Sequence, residues 1–197
     1  MTTTSAAARQ PAARPSRRRQ QLLDLAANLF AERGFHGVSV TDLGAAAGIS
    51  GPALYKHFSS KDAILAEMLI QISDELLTVG TARAMAAAEP RAALRALVEF
   101  HVDFALNHTS LIVVQDRDWA SLPDEAREQV RTTQRRYVAL WADLITKVRP
   151  GLTPVAAKAV AHATFGLINS TPRSSRLPME EMQAMLMGMA LRALDIA

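Results

Sequence analysis

Apolar residues recur at three- and four-residue intervals along most of the chain, the period of helices that bury one side. Leu22, Leu23, Ala26, Ala27, Leu29 and Phe30 share one face and predict a helix over about 16–33. Gly34 supplies the left-handed position that ends it. A loop over 35–39 follows, then a short helix over 40–47, capped by Ser39 or Thr41 and stopped at Gly48. Ser50 caps a third helix over about 51–57, with Pro52 in a first turn that has no amide bond to lose. Ser59 and Ser60 cap a fourth, whose stripe Leu65, Met68, Leu69, Ile72 and Leu76 marks a long amphipathic rod.

Beyond Gly80 the pattern stays helical. Pro90 opens a helix with Leu94, Leu97, Val98, His101, Phe104 and Ala105 inward, and a short helix follows around 111–119. After Pro123, the residues Val130, Gln134, Tyr137, Trp141, Leu144 and Val148 recur along a long helix that Pro150-Gly151 ends. Thr153-Pro154 caps a penultimate helix running to about 170, Pro172 and Pro178 bracket a loop, and a last helix covers 179–197. No segment reads as a strand and no repeat is evident, so the expected fold is all-α with about nine helices.

Composition sharpens this picture. Hydrophobic residues make up 49% of the chain, yet no uncharged apolar run reaches the ~18 residues of a membrane span. Cysteine is absent, which excludes disulfides and cysteine-rich zinc sites and fits a cytoplasmic protein. Of the net charge of +3, the excess lies early: Arg9, Arg14, Arg17, Arg18, Arg19, Arg33, Lys56 and Lys61 face only Asp24, Glu32, Asp42 and Asp62. A basic end on a near-neutral body is the footprint of a polyanion partner. Residues 1–16 lack apolar periodicity and contain two prolines, which predicts a disordered basic arm. The amphipathic segment after Arg17-Arg18-Arg19 does not suit an export signal; these arginines read equally as a solvated helix start or as DNA contacts.

The segment TDLGAAAGISGPALYKHF, residues 41–58, has the mechanics of a DNA-binding helix-turn-helix. Ala45 is small where two helices must approach, Gly48 permits a tight turn, and Ile49 plugs the space between them. Gly51 and Ala53 leave the third helix open to the major groove, while Tyr55, Lys56 and His57 project donors from it. Leu54 and Phe58 are expected in the core. Lys61 adds a cation at the start of the fourth helix, where a phosphate could also meet free amides.

The run AANLFAERGFHGVSVTDLGAAAGISGPALYKHFSSKDAIL resembles the DNA-binding head of the TetR family of bacterial regulators, and the body resembles that family in length and helix order. The resemblance implies a head over 17–62 and an effector-binding and dimerisation body over 63–197. It implies that Thr41 binds a phosphate, that Ser50, Gly51, Pro52 and Lys56 lie at base edges, and that Tyr55, His57 and Lys61 clamp phosphates. Phosphate contacts set register, whereas groove contacts select sequence. It further implies a homodimer through the last two helices on a palindromic double-stranded operator.

Within the body, three clusters could line a cavity or simply form core: His101, Phe104 and His108; Asp116, Arg117 and Trp119; and Tyr137, Trp141, Phe165 and Asn169. Arg117 reads as an effector anchor or as a salt bridge. His101 and His108 are separated by ~10 Å of helical rise, too far to share an ion, so no metal or cofactor is expected. Ala159, Ala163, Gly166 and Ser170 make a small-residue face, and Met182, Met185, Met189 and Ala193 a second one; both suit a dimer seam or the core.

The sequence holds no GxGxxG, GxxxxGK[ST] or HExxH, so no enzyme is expected. Two functions remain. One is a repressor released from its operator by a small apolar effector, whether lipid-like, aromatic or an acyl thioester. The other is a DNA-binding activator or architectural protein without an effector.

Overall fold

The computed structural model describes residues 17–174 and 177–196; the expected arm and the end of the last predicted helix lie outside them. Every regular element among the described residues is helical. The order is α1 (Arg17–Arg33), α2 (Val40–Ala46), α3 (Gly51–Leu54), α4 (Lys61–Ala86), α5 (Pro90–Asn107), α6 (Thr109–Asp118), α7 (Asp124–Val148), α8 (Pro154–Ile168), α9 (Thr171–Ser174) and α10 (Met179–Ala193). A 3₁₀ turn (Trp119–Ser121) continues α6.

The stops act as the residue types demand. Gly34 and Gly48 take φ of +80° and +66°, and Ser50, Ser60 and Thr153 each accept the backbone amide three residues on. Ser39, not Thr41, caps α2, in a reciprocal box with Asp42. Helix α3 is shorter than predicted. After Leu54 the chain tightens, with Lys56 N donating to Ala53 O and His57 N to Leu54 O. Where a loop was expected between Pro172 and Pro178, one helical turn forms at 171–174, held by the Thr171 hydroxyl on Ala105 O. The last helix ends at Ala193, earlier than predicted, because Asp195 turns left-handed (φ 61°) and Ile196 N closes on Leu191 O.

Helices α1–α3 wrap a small core of Leu23, Ala26, Phe30, Phe35, Val38, Leu43, Leu54 and Phe58, completed by Ile64 and Leu65 of α4. Phe30 is fully buried and meets Phe35 edge-to-face at 5.3 Å. Further along, α4 leaves this head and packs along α5 and α7. At its Gly80 the packing leaves no room for a side chain: a Cβ there would lie 2.7 Å from the Tyr137 ring and 3.3 Å from Leu97. The long rod is therefore shared, its first turns belonging to the head and its last to the body.

Candidate DNA-binding surface and ligand chamber

In the head, close helix approach falls on Gly44, not on Ala45. A Cβ on Gly44 would sit 2.8 Å from Ile49 O, whereas Ala45 is exposed. This contact sets α2 against the turn into α3 and so aims the third helix. Thr41, Ser50, Pro52, Tyr55 and Lys56 are exposed, Gly51 and His57 are half-buried, and a Cβ on Gly51 would meet nothing within 4 Å. Tyr55 keeps 54% of its surface accessible, whereas Leu54 and Phe58 keep 3% each. The convex surface thus carries an aromatic hydroxyl, a cation and a bare backbone, with its apolar residues turned inward.

Two basic groups are used differently from expectation. Lys61 donates to Phe35 O and Val38 O, both at 2.9 Å, with its ammonium 4.3 Å from the Phe35 ring centroid. It therefore ties the α1–α2 loop to α4 rather than standing free for a phosphate. Arg19 pairs with Glu67 of α4, donates to His57 O and stacks 4.2 Å over Phe58, so it braces the head. Arg18 donates to Ala47 O at 2.8 Å.

The body contains a chamber of about 220 Å³ among α4, α5, α6, α7 and α8. His101, Phe104, Tyr137, Phe165 and Asn169 line it as expected from their inward positions. Sequence reading missed its other walls, Ile72 and Leu76 of α4, Leu111, Ile112 and Gln115 of α6, and Gln134 and Val138 of α7. Asp116 and His162, both exposed, mark the rim. Gln134 carried a readable signal, a polar residue within an apolar stripe.

Four expected lining residues are elsewhere. Trp141 is fully buried behind the chamber, edge-on to His101 and Phe165 at 5.9 and 4.9 Å, and is core. His108 is exposed beyond Phe104. Trp119 lies outside, with Arg131 5.9 Å from its ring. Arg117 reaches back to the head, donating to Phe30 O and to Ala31 O (3.0 Å) at the end of α1, and pairing with Asp118 at 3.0 Å.

Arg117 belongs to a wider joint. The buried Asp118 accepts the Phe35 amide at 3.3 Å, Ser110 donates to Asn28 at 2.7 Å, and Ser121 meets His36 at 3.1 Å. Phe35 is consequently clasped on both sides, its N–H by Asp118 of α6 and its C=O by Lys61 of α4. Helix α6 thus both walls the chamber, through Leu111, Ile112 and Gln115, and holds the head, through Ser110, Arg117 and Asp118.

Within the chamber, His101 Nδ1 lies 3.3 Å from the Tyr137 hydroxyl and Nε2 lies 3.2 Å from Asn169 Oδ1. Burial lowers the His101 pKa to about 4, opposed by the Asn169 hydrogen bond, so the ring is neutral at pH 7. Burial likewise pushes the Tyr137 hydroxyl up, keeping it protonated. Among the described residues no three His, Cys, Asp or Glu side chains converge on a metal-sized site, and no single helix is long and apolar enough to cross a membrane.

On the outer side, most of the expected seam residues are exposed within one chain, whereas Ser170 is half-buried and donates to Leu167 O at 2.8 Å. Ala159, Ala163 and Gly166 of α8 are exposed, as are Met185, Met189 and Ala193 of α10; Met182 instead belongs to the core. A Cβ on Gly166 would meet nothing within 4 Å.

Comparison with known proteins gives consistent matches. The family described as "Bacterial regulatory proteins, tetR family" matches residues 22–68, and "Tetracyclin repressor-like, C-terminal domain" matches 87–194. The HTH-type transcriptional repressor KstR2 of Rhodococcus jostii is 34% identical over 133 residues, covering 66% of this chain and 64% of the relative, so the match spans just under two thirds of that repressor's length. The HTH-type transcriptional activator FasR of Mycolicibacterium smegmatis is 31% identical over 161 residues, covering 81% and 71%. A TetR-family regulator from Bordetella parapertussis shares the fold with a TM-score of 0.82 at 24% identity, covering 92% of this chain and 96% of that one.

Proposed function

This chain belongs to the TetR family of bacterial regulatory proteins, and on that premise we propose that it is a homodimeric repressor released from its operator by a small apolar ligand. The observation that carries the reading is the double use of α6. Leu111, Ile112 and Gln115 wall the chamber, while Ser110, Arg117 and Asp118 fasten the same helix to the head. A ligand that shifts α6 moves the Phe35 clasp and, through Lys61, the start of α4.

On DNA, Ser50, Gly51, Pro52 and Lys56 meet base edges, and Thr41, Tyr55 and His57 meet phosphates. Lys61 supports these contacts by fixing the loop in front of α2, although one of its three ammonium protons remains for a phosphate. Two heads joined by a two-fold seam along the exposed faces of α8 and α10 address two half-sites of a palindrome. Coupling of about 1–3 kcal/mol between ligand and DNA suffices for five- to about 150-fold release.

The test is to select an operator duplex from random-sequence DNA and measure chains per duplex and the effect of chamber occupancy. Two chains per duplex and weaker binding on occupancy support the reading. Tight DNA binding indifferent to an occupied chamber would instead favour a regulator without an effector.

A further inference from the structure

Lipid-like, aromatic and acyl-thioester effectors make different demands on a chamber, and these walls discriminate among them. A cavity of roughly 150 Å³ accepts one benzene ring, and drug-sized ligands fill about 300–1,000 Å³. At about 220 Å³ this one encloses a single ring with a short substituent, and anything longer has to leave through the mouth beside Asp116 and His162. Three wall rings are nearly parallel: His101 and Tyr137 at 20°, His101 and Phe165 at 28°, Tyr137 and Phe165 at 9°. Their centroids lie 4.9–5.8 Å apart, so the rings pack on one another as one aromatic wall, against which a flat guest can lie.

Charge narrows the class further. No lysine or arginine lines the chamber. Arg117 is bound to α1 carbonyls and Asp118, and Arg173 lies outside, 3.9 Å from the rim carboxylate Asp116. His101 is neutral because it is buried, and His162 stands at the exposed rim. An anion held at the inner end, beside His101 and Asn169, would lose its hydration without gaining a counter-ion there.

The direction of the buried hydrogen bonds identifies the polar group that remains. Asn169 Oδ1 can only accept, so the hydrogen bond that links it to His101 is donated by the ring, from Nε2. In the neutral ring the other nitrogen, Nδ1, is then unprotonated and accepts from the Tyr137 hydroxyl. This relay fixes the Asn169 amide with its oxygen engaged and its NH₂ left for a guest.

We infer that the chamber selects a compact, uncharged aromatic molecule bearing one hydrogen-bond acceptor, as an aryl ketone does, and that the Asn169 amide reads that acceptor. The inference rests on the chamber being the effector site. Calorimetric titration of the full chain with acetophenone, toluene and benzoate tests it. Acetophenone should bind about tenfold tighter than toluene, the effect of one buried neutral hydrogen bond, and at least about a hundredfold tighter than benzoate. Asn169→Ala should erase the preference over toluene, and Asn169→Asp should bring acetophenone to or below toluene. Benzoate binding as tightly as acetophenone, an acetophenone/toluene ratio unchanged in both variants, or no binding by any probe would overturn the inference.

Filling the chamber keeps the two readings separable. Leu111→Trp, or Val138→Trp should the first melt early, should abolish binding of all probes. Ring binding that survives both fillers overturns the chamber itself. Fillers that abolish binding while benzoate rivals acetophenone overturn only the selection.

Discussion

The head and the body put their chemistry on opposite sides of their cores. In the head, Thr41, Pro52, Tyr55 and Lys56 stand out from a small apolar centre and face away from the fold. In the body, His101 and Tyr137 are buried together, and their hydrogen bonds are made to partners 36 and 68 residues away in the chain. A surface reader can exchange side chains at little cost to folding. A chamber cannot, because its apolar walls are also core. Substitutions should therefore separate the two regions cleanly, with function lost alone in the head and function lost with stability in the body.

The largest effect is expected at Trp141. Removing this fully buried ring should cost about 3–5 kcal/mol, read as a lower denaturation midpoint, with operator affinity of the remaining folded protein near normal. A Trp141→Ala protein of unaltered stability would erase the distinction between the regions.

Next comes His101. Its pKa of about 4 lies below the ~6.5 of an unfolded histidine, so the unfolded chain takes up the proton first on acidification. The stability from the neutral, buried ring is complete above about pH 6.5 and is lost as pH falls towards 4, by about 3 kcal/mol at most. Denaturation followed from pH 7 to 4 should show this slope, and His101→Gln should flatten it.

In the head, Tyr55→Ala combined with Lys56→Ala should weaken operator binding about a hundredfold, by roughly 1–3 kcal/mol per lost contact. Melting temperature and helicity should not change, since both side chains are exposed. The log–log salt slope should flatten by about one unit at most, from the loss of the Lys56 cation, because the neutral Tyr55 hydroxyl releases no counter-ion. A matching drop in stability would put these residues in the core.

The smallest effect concerns the seam. Gly166→Leu meets no neighbour within one chain, so any cost must come from a second copy, at about 1–3 kcal/mol for overpacking. Sedimentation at micromolar concentration should show dissociation, with the monomer's fold retained.

The contrast between regions also explains what could be read from sequence. Head elements are set by neighbours in the chain, so Gly34, Gly48, Ser50 and the inward pair Leu54 and Phe58 were legible from residue type and spacing. Gly44 and Ala45 were not separable, because both are small and only the path of Ile49 decides between them. Lys61 looked free because its partners are carbonyls, which no side-chain pattern reveals. In the body, periodicity turned Phe104, Tyr137, Trp141 and Phe165 inward, but it cannot tell which inward ring faces a void. Of the two readings of Arg117 the salt bridge is the one formed, with Asp118, while its carbonyl partners on α1, 86 and 87 residues away, left no trace in the local pattern.

The central claim is that chamber occupancy reaches the head through α6. It is tested most directly by making the occupant permanent with Leu111→Trp and measuring affinity for the selected operator duplex by fluorescence anisotropy. The account predicts that the folded variant binds about tenfold or more weakly, within the usual range of coupling. It also predicts that adding Asp118→Ala, which opens the Phe35 clasp, restores much of the lost affinity. A Leu111→Trp protein of normal helicity that binds the operator as tightly as wild type would contradict it.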